Sequence, residues 1–219
     1  MPPREFRHRL VGTSMIVSAV LSLATAVILP PNRGDVGGQV ATVATAPTRF
    51  VIANLIALFS LILLIPAVLG LVHALRDRKP RLALIGGGFA LAGIMPVAVQ
   101  IALGLVEWKM VSAGADRHEM VALLDRIEFS TGFVPILLAA VMPAVGLSVL
   151  AFGLARTRLA PAWVAVCVAL GALGLDAGFE IPSLAVRIGS AVLTVAAFAW
   201  LGRAVLRADG HWSPAAAAR

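Results

Sequence analysis

The chain has 219 residues, of which 60% are hydrophobic and only 13% charged, with a mean hydropathy of +0.96. Soluble domains carry about 25% charged residues, so this composition excludes an ordinary soluble globule. The net charge of +7 is spread over short connections between apolar runs, which argues for membrane topology and against a nucleic-acid surface.

Six apolar runs of about 20 residues, each long enough to span a hydrocarbon core of about 30 Å, nearly exhaust the sequence. The expectation is an all-α, polytopic membrane bundle of six transmembrane helices forming a single domain over residues 1–219. The first run, about 10–29, follows a basic start containing Arg4, Arg7 and Arg9 and stops at Pro30-Pro31. Ala24-Thr25-Ala26 resembles a signal-peptide cleavage site. The run continues past it, however, and reads as a retained span. Residues 32–48, rich in Gly and Thr, read as a surface loop.

The second span covers about 49–75 with Pro66 inside it, and the third about 82–106 with Pro96. Between Glu107 and Ser130 lies the longest polar connection. Asp116-Arg-His-Glu119 has the D-x-x-E form of a helix-capping box. The apolar residues Met120, Leu123, Leu124 and Ile127 alternate there with Asp125, Arg126 and Glu128. This pattern predicts a short amphipathic outer helix over about 116–128, either a lid or a solvated connection. The fourth span covers about 129–155 with Pro135 and Pro143, the fifth about 161–181, and the sixth about 183–206. In the fifth, Gly171, Gly174 and Gly178 fall on one broad face. Small residues so placed allow close helix approach, either to another span or to a second subunit in a homo- or hetero-oligomer.

Taken alternately, the segments beginning with the N-terminus hold twelve cations and three acids, a net +9. The opposite set holds six cations and eight acids, a net −2, and together they give the total of +7. The positive-inside rule then places both termini in the cytoplasm. Arginine far outnumbers lysine, alanine is abundant and tyrosine absent, a bias that fits a bacterial chain and hence its cytoplasmic (inner) membrane.

On this topology the polar groups of the spans gather toward the outer side. They are Asn54, Gln100, Glu107, Glu128, Asp176, Glu180 and Arg187. Ionisable residues at membrane depth are costly without a partner, and the hairpin at Pro182 brings Asp176 and Arg187 to similar depth, so an Asp176–Arg187 pair is expected. These seven residues are the candidate ligand-binding set. They fit a small cation or the head of an amphiphile, bound by a sensor or accessory subunit. Two alternatives stand beside that reading: a membrane enzyme acting on a lipid or isoprenoid, with Glu128 or Asp176 as general base, and a structural subunit of a membrane complex. No catalytic residue is assigned.

Cofactors and metals have no sequence support. Lys79 and Lys109 lie at span ends rather than deep in one, where a retinal Schiff base would need a lysine. His73 has no histidine at facing depth with which to hold a haem. There is no H-E-x-x-H, P-loop or nucleophile elbow, and Cys167 is the only cysteine. Membrane lipids are the expected surroundings, with no nucleic acid among the partners.

The short basic start, the longer first outer loop and the second span ending Ile65-Pro-Ala-Val-Leu-Gly-Leu-Val-His-Ala-Leu-Arg76 resemble a family of uncharacterised six-span bacterial integral membrane proteins, a domain of unknown function. The resemblance covers the whole chain. It implies the six-span architecture and carries no catalytic residue.

Overall fold

A computed structural model describes residues 3–30, 35–114, 116–128, 130–180 and 183–207. Every regular element among them is a helix: α1 (Pro3–Ile28), α2 (Val36–Thr45), α3 (Pro47–Arg76), α4 (Pro80–Ala92), α5 (Ile94–Ser112), α6 (Arg117–Glu128), α7 (Val134–Ala139), α8 (Met142–Arg156), α9 (Ala162–Glu180) and α10 (Leu184–Arg207). An apolar medium offers backbone groups no hydrogen-bond partner, so a helix, which satisfies them internally, is the form these runs must take.

Among the described residues, five helical stretches are long and apolar enough to cross a membrane: His8–Ile28, Pro47–Arg76, Pro80–Ser112, Val134–Arg156 and Leu184–Arg207. The fifth predicted span is α9, whose described apolar part, Ala162–Ala177, is shorter. At 30 residues, α3 is about 45 Å long and overshoots a core of about 30 Å.

The helices close a ring in chain order. α1 packs on α3, α3 on α4, α4 on α8, α8 on α9, α9 on α10, and α10 returns to α1. One end of the ring carries the turns 77–79 and 157–160, where Arg78 Nη1 donates to the Thr157 carbonyl over 3.1 Å. The other carries α2 and α6, which pack on each other.

From the middle of the bundle to the basic end the helices interlock. Gly146 of α8 lies so near α4 that a Cβ there would sit 2.3 Å from the Ala90 backbone nitrogen. Gly12 of α1 and Gly202 of α10 face each other in the same way, each too near the other's carbonyl for a side chain. In lipid, such close contact is itself a principal source of helix association. The buried cluster between the helices includes Leu71, Leu75, Leu150, Leu154 and Phe198. α8 ends there in a left-handed cap: Arg158 has φ 55°, and the Leu159 amide reaches back to the Leu154 carbonyl over 2.9 Å. The buried Leu159 side chain seals the turn.

Three expectations need revision. The stretch 32–48, read as a loop, contains α2. Asp35 caps this helix by accepting from the Gly38 amide over 2.9 Å, and Val40, Thr42 and Val43 are buried. The third span is two helices, α4 and α5, divided at Gly93, because Pro96 cannot donate to the carbonyl four residues back. The fourth begins at Val134 and is divided at residues 140–141 before Pro143. Ser130 makes the turn that precedes it, its hydroxyl donating to the Ile127 carbonyl and accepting from the Phe133 amide.

Candidate polar site at the α2/α6 end

The polar residues at this end rest on two supports. The first is the face of α5 that presents Gln100, Gly104 and Glu107 at spacings of four and three, one above another. Glu107 is buried, with 1% of its surface exposed. Its Oε2 accepts from Gln39 Nε2 of α2 over 2.7 Å, which offsets part of the cost of placing a carboxyl group out of water. Asn54, half-buried on α3, donates to the Phe50 carbonyl over 3.0 Å. Its Oδ1 lies against Gly104, 3.1 Å from where a Cβ would stand. Gln100 is half-buried on the same face of α5, about one turn from Gly104.

The second support is the end of α1. Arg187 on α10 is 3% exposed. Its Nε, Nη2 and Nη1 donate to the carbonyls of Ala26, Leu29 and Pro30 over 3.0, 2.7 and 3.4 Å. Arg49, exposed near the start of α3, donates from Nε to the Ile28 carbonyl and from Nη2 to that of Val27. Five consecutive carbonyls, those of residues 26–30, are thus met by two guanidinium groups.

The last carbonyls of a helix have no intrahelical donor, and the helix dipole makes that end negative. The expected Asp176–Arg187 pairing is therefore revised as far as Arg187 is concerned. Its described partners are the carbonyl end of α1.

Asp176 is half-buried on α9. Glu128 and Glu180 close α6 and α9, and their side chains lie outside the described residues, as do the surroundings of Gly178. Gly171 and Gly174 face α10 of the same chain. A Cβ at 171 would meet Thr194 Oγ1 at 2.4 Å, and one at 174 would meet Ser190 Oγ at 2.2 Å. At those two positions, the neighbour left open between another span and a second subunit is another span.

α6 runs from Arg117 with Asp116 as its cap, Oδ1 accepting from the His118 and Glu119 amides over 2.7 and 3.2 Å. Its Met120 is buried, and the helix packs on α2. Among the described residues, no three of His, Cys, Asp and Glu gather into a metal-ligating group.

Gln39 and Arg49 complete the two supports, and neither stood out in the sequence. Gln39 is the one amide in a stretch otherwise small and apolar, four residues after the Asp35 cap. Arg49 adds positive charge near a helix N-terminus, where the dipole disfavours it. That mismatch is a signal that it serves another helix.

No protein-family model, curated protein or solved structure matches the chain. Roles for these residues therefore rest on their own geometry.

Proposed function

We propose that this is a six-span integral protein of the bacterial cytoplasmic membrane with both termini in the cytoplasm. Its outward α2/α6 end binds a small cation, or the cationic head of an amphiphile, as a sensor or accessory subunit. The observation that carries the binding reading is Glu107, buried to 1% exposure and gripped by Gln39 from a separate short helix. A carboxyl group sequestered out of water and held by an amide of α2 is a setting that favours a cationic guest over an anionic one.

The topology is supported by the charge asymmetry and by the link between the two basic turns through Arg78 and Thr157. A membrane-spanning role for α9 is supported by its place in the ring between α8 and α10. Its 19 residues would extend about 28 Å, close to the thickness of the hydrocarbon core.

Native mass spectrometry of the protein released gently from its own membrane tests the binding reading. The expected result is an adduct of defined mass on the wild type that is lost in Glu107→Gln. An adduct of equal occupancy on both proteins, or none on the wild type, rejects it.

A further inference from the structure

The cations at the basic end fall into two groups. Arg76 pairs with Asp77 over 3.4 Å, Arg78 donates to the Thr157 carbonyl, and Arg156 stands 5.6 Å from the centre of the Phe152 ring. Arg203 and Arg207, exposed in the last two turns of α10, make no such contact among the described residues. A guanidinium left in this way at the edge of a hydrocarbon layer has donors ready for an oxyanion, and phosphate matches their planar spread.

The surface beside Arg203 is apolar and aromatic. Trp200, three residues earlier, lies on the same side of α10. Its ring meets that of Trp163 of α9 edge to face, with centroids 6.2 Å apart and planes at 77°. Trp163 is 46% exposed, and Trp200 is half-buried. The pair joins two exposed stripes. On α9, Val166, Leu170 and Leu173 follow Trp163 at helical spacing, all exposed. On α10, Val192 and Ala196 precede Arg203 at helical spacing and are exposed too.

The stripes run side by side because Gly171 and Gly174 bring α9 close to Thr194 and Ser190 of α10. Between the Gly171–Thr194 and Trp163–Trp200 contacts, Leu170 and Ala196 stand at similar depth. The alanine presents only a methyl group, and the leucine beside it stays open to the surroundings. From mid-bundle toward the basic end the order is thus apolar strip, indole pair, guanidinium. Indoles favour the boundary between hydrocarbon and headgroups, so this order is that of a phospholipid read from its tail to its phosphate.

We propose that this α9/α10 corner holds one anionic phospholipid from the leaflet at the basic end. Its acyl chain lies along Leu170 and Ala196, its glycerol beside the tryptophan pair, and its phosphate on Arg203. A choline headgroup offers the same phosphate but carries a cation toward Arg207, one turn further along α10, where like charges repel. A glycerol headgroup carries none, and the corner selects it. The site is at the opposite end from Glu107, and its test leaves that residue untouched.

Trp108→Phe and Trp212→Phe leave Trp163 and Trp200 as the only indoles of the full chain. This parent is placed in nanodiscs of phosphatidylcholine with a minor share of phosphatidylglycerol, at fixed composition. Bromines near the headgroup end of the acyl chains are carried either by the phosphatidylglycerol or by an equal amount of the phosphatidylcholine. Bromine quenches indole fluorescence on contact, so the ratio of the two quenching signals reads headgroup preference at the pair. The ratio should be about five in favour of phosphatidylglycerol, the enrichment one arginine confers at a membrane surface. Arg203→Gln should bring it near unity while quenching by brominated phosphatidylcholine persists. Arg81→Gln, which removes an exposed cation of α4 at the same end, should leave the ratio unchanged.

A ratio near unity in the parent overturns the site. Equal losses in Arg203→Gln and Arg81→Gln mean diffuse attraction to a basic surface and overturn it as well. A preference that survives Arg203→Gln overturns the assignment of the phosphate to that arginine.

Discussion

The two ends of the bundle solve the problem of holding helices together in lipid by opposite means. From mid-bundle to the basic end, backbones touch across glycines, and leucines and Phe198 fill the space between them. Near the α2/α6 end, polar groups bridge between elements: Gln39 to Glu107, Arg49 and Arg187 to the end of α1. Close packing acts over many small contacts and tolerates no added atoms. Polar bridges are few and individually strong in a medium without water, and they fail when a partner is removed. The first end should therefore break when something is added and the second when something is taken away.

The largest effect is expected from addition at the tight end. Gly146→Leu would drive side-chain atoms into the α4 backbone, which has no room to yield. The loss should be about 3 kcal/mol or more, read as a lowered midpoint of unfolding in mixed micelles titrated with sodium dodecyl sulfate. Removal at the polar end should come next. Arg187→Ala leaves the carbonyls of Ala26, Leu29 and Pro30 without this donor and should cost about 2–3 kcal/mol. Arg187→Lys should recover only part of that, because an ammonium cannot reach three carbonyls with the spread of a planar guanidinium. Arg49→Ala, at an exposed position, should cost about 1 kcal/mol or less.

Gly104→Ala should fall between the two behaviours. The added methyl meets Asn54 Oδ1, the end of a movable side chain, so about 1 kcal/mol is expected from the same titration. Arg158→Gly should act in the opposite direction. Arg158 occupies a left-handed cap that glycine adopts without strain, so a gain of about 1 kcal/mol is expected. A destabilised Arg158→Gly would mean that the arginine side chain, and not the turn, holds the basic end.

The sequence made the tight end easier to anticipate than the polar one. Runs of about 20 apolar residues announce helices because length and hydropathy act locally. The cap at Asp116 is legible because the side chain acts within its own turn. The helix 36–45 was harder, since its glycines and threonines argue locally for a loop and its stability comes from packing on α5 and α6. The same holds for Arg187. Spacing suggested Asp176 as its partner, whereas its hydrogen bonds go to backbone carbonyls about 160 residues away. Carbonyls leave no mark in a sequence. A helix end in need of donors is visible only when the hairpins have been assembled, so no spacing in the sequence names the end of α1 as the partner of Arg49, which stands at the start of the second span.

The arginine grip on α1 also has a meaning in time. Among the described helices α1 is made first, yet its carbonyl end is complete only after two later elements arrive. Arg49 comes about 20 residues afterwards and Arg187 nearly the whole chain later. Until α10 enters, the end of the first helix has acceptors awaiting donors, and the ring of helices is open on that side. Among the described helices, α10 finishes α1, and the seam between the two is sealed only when both are in place.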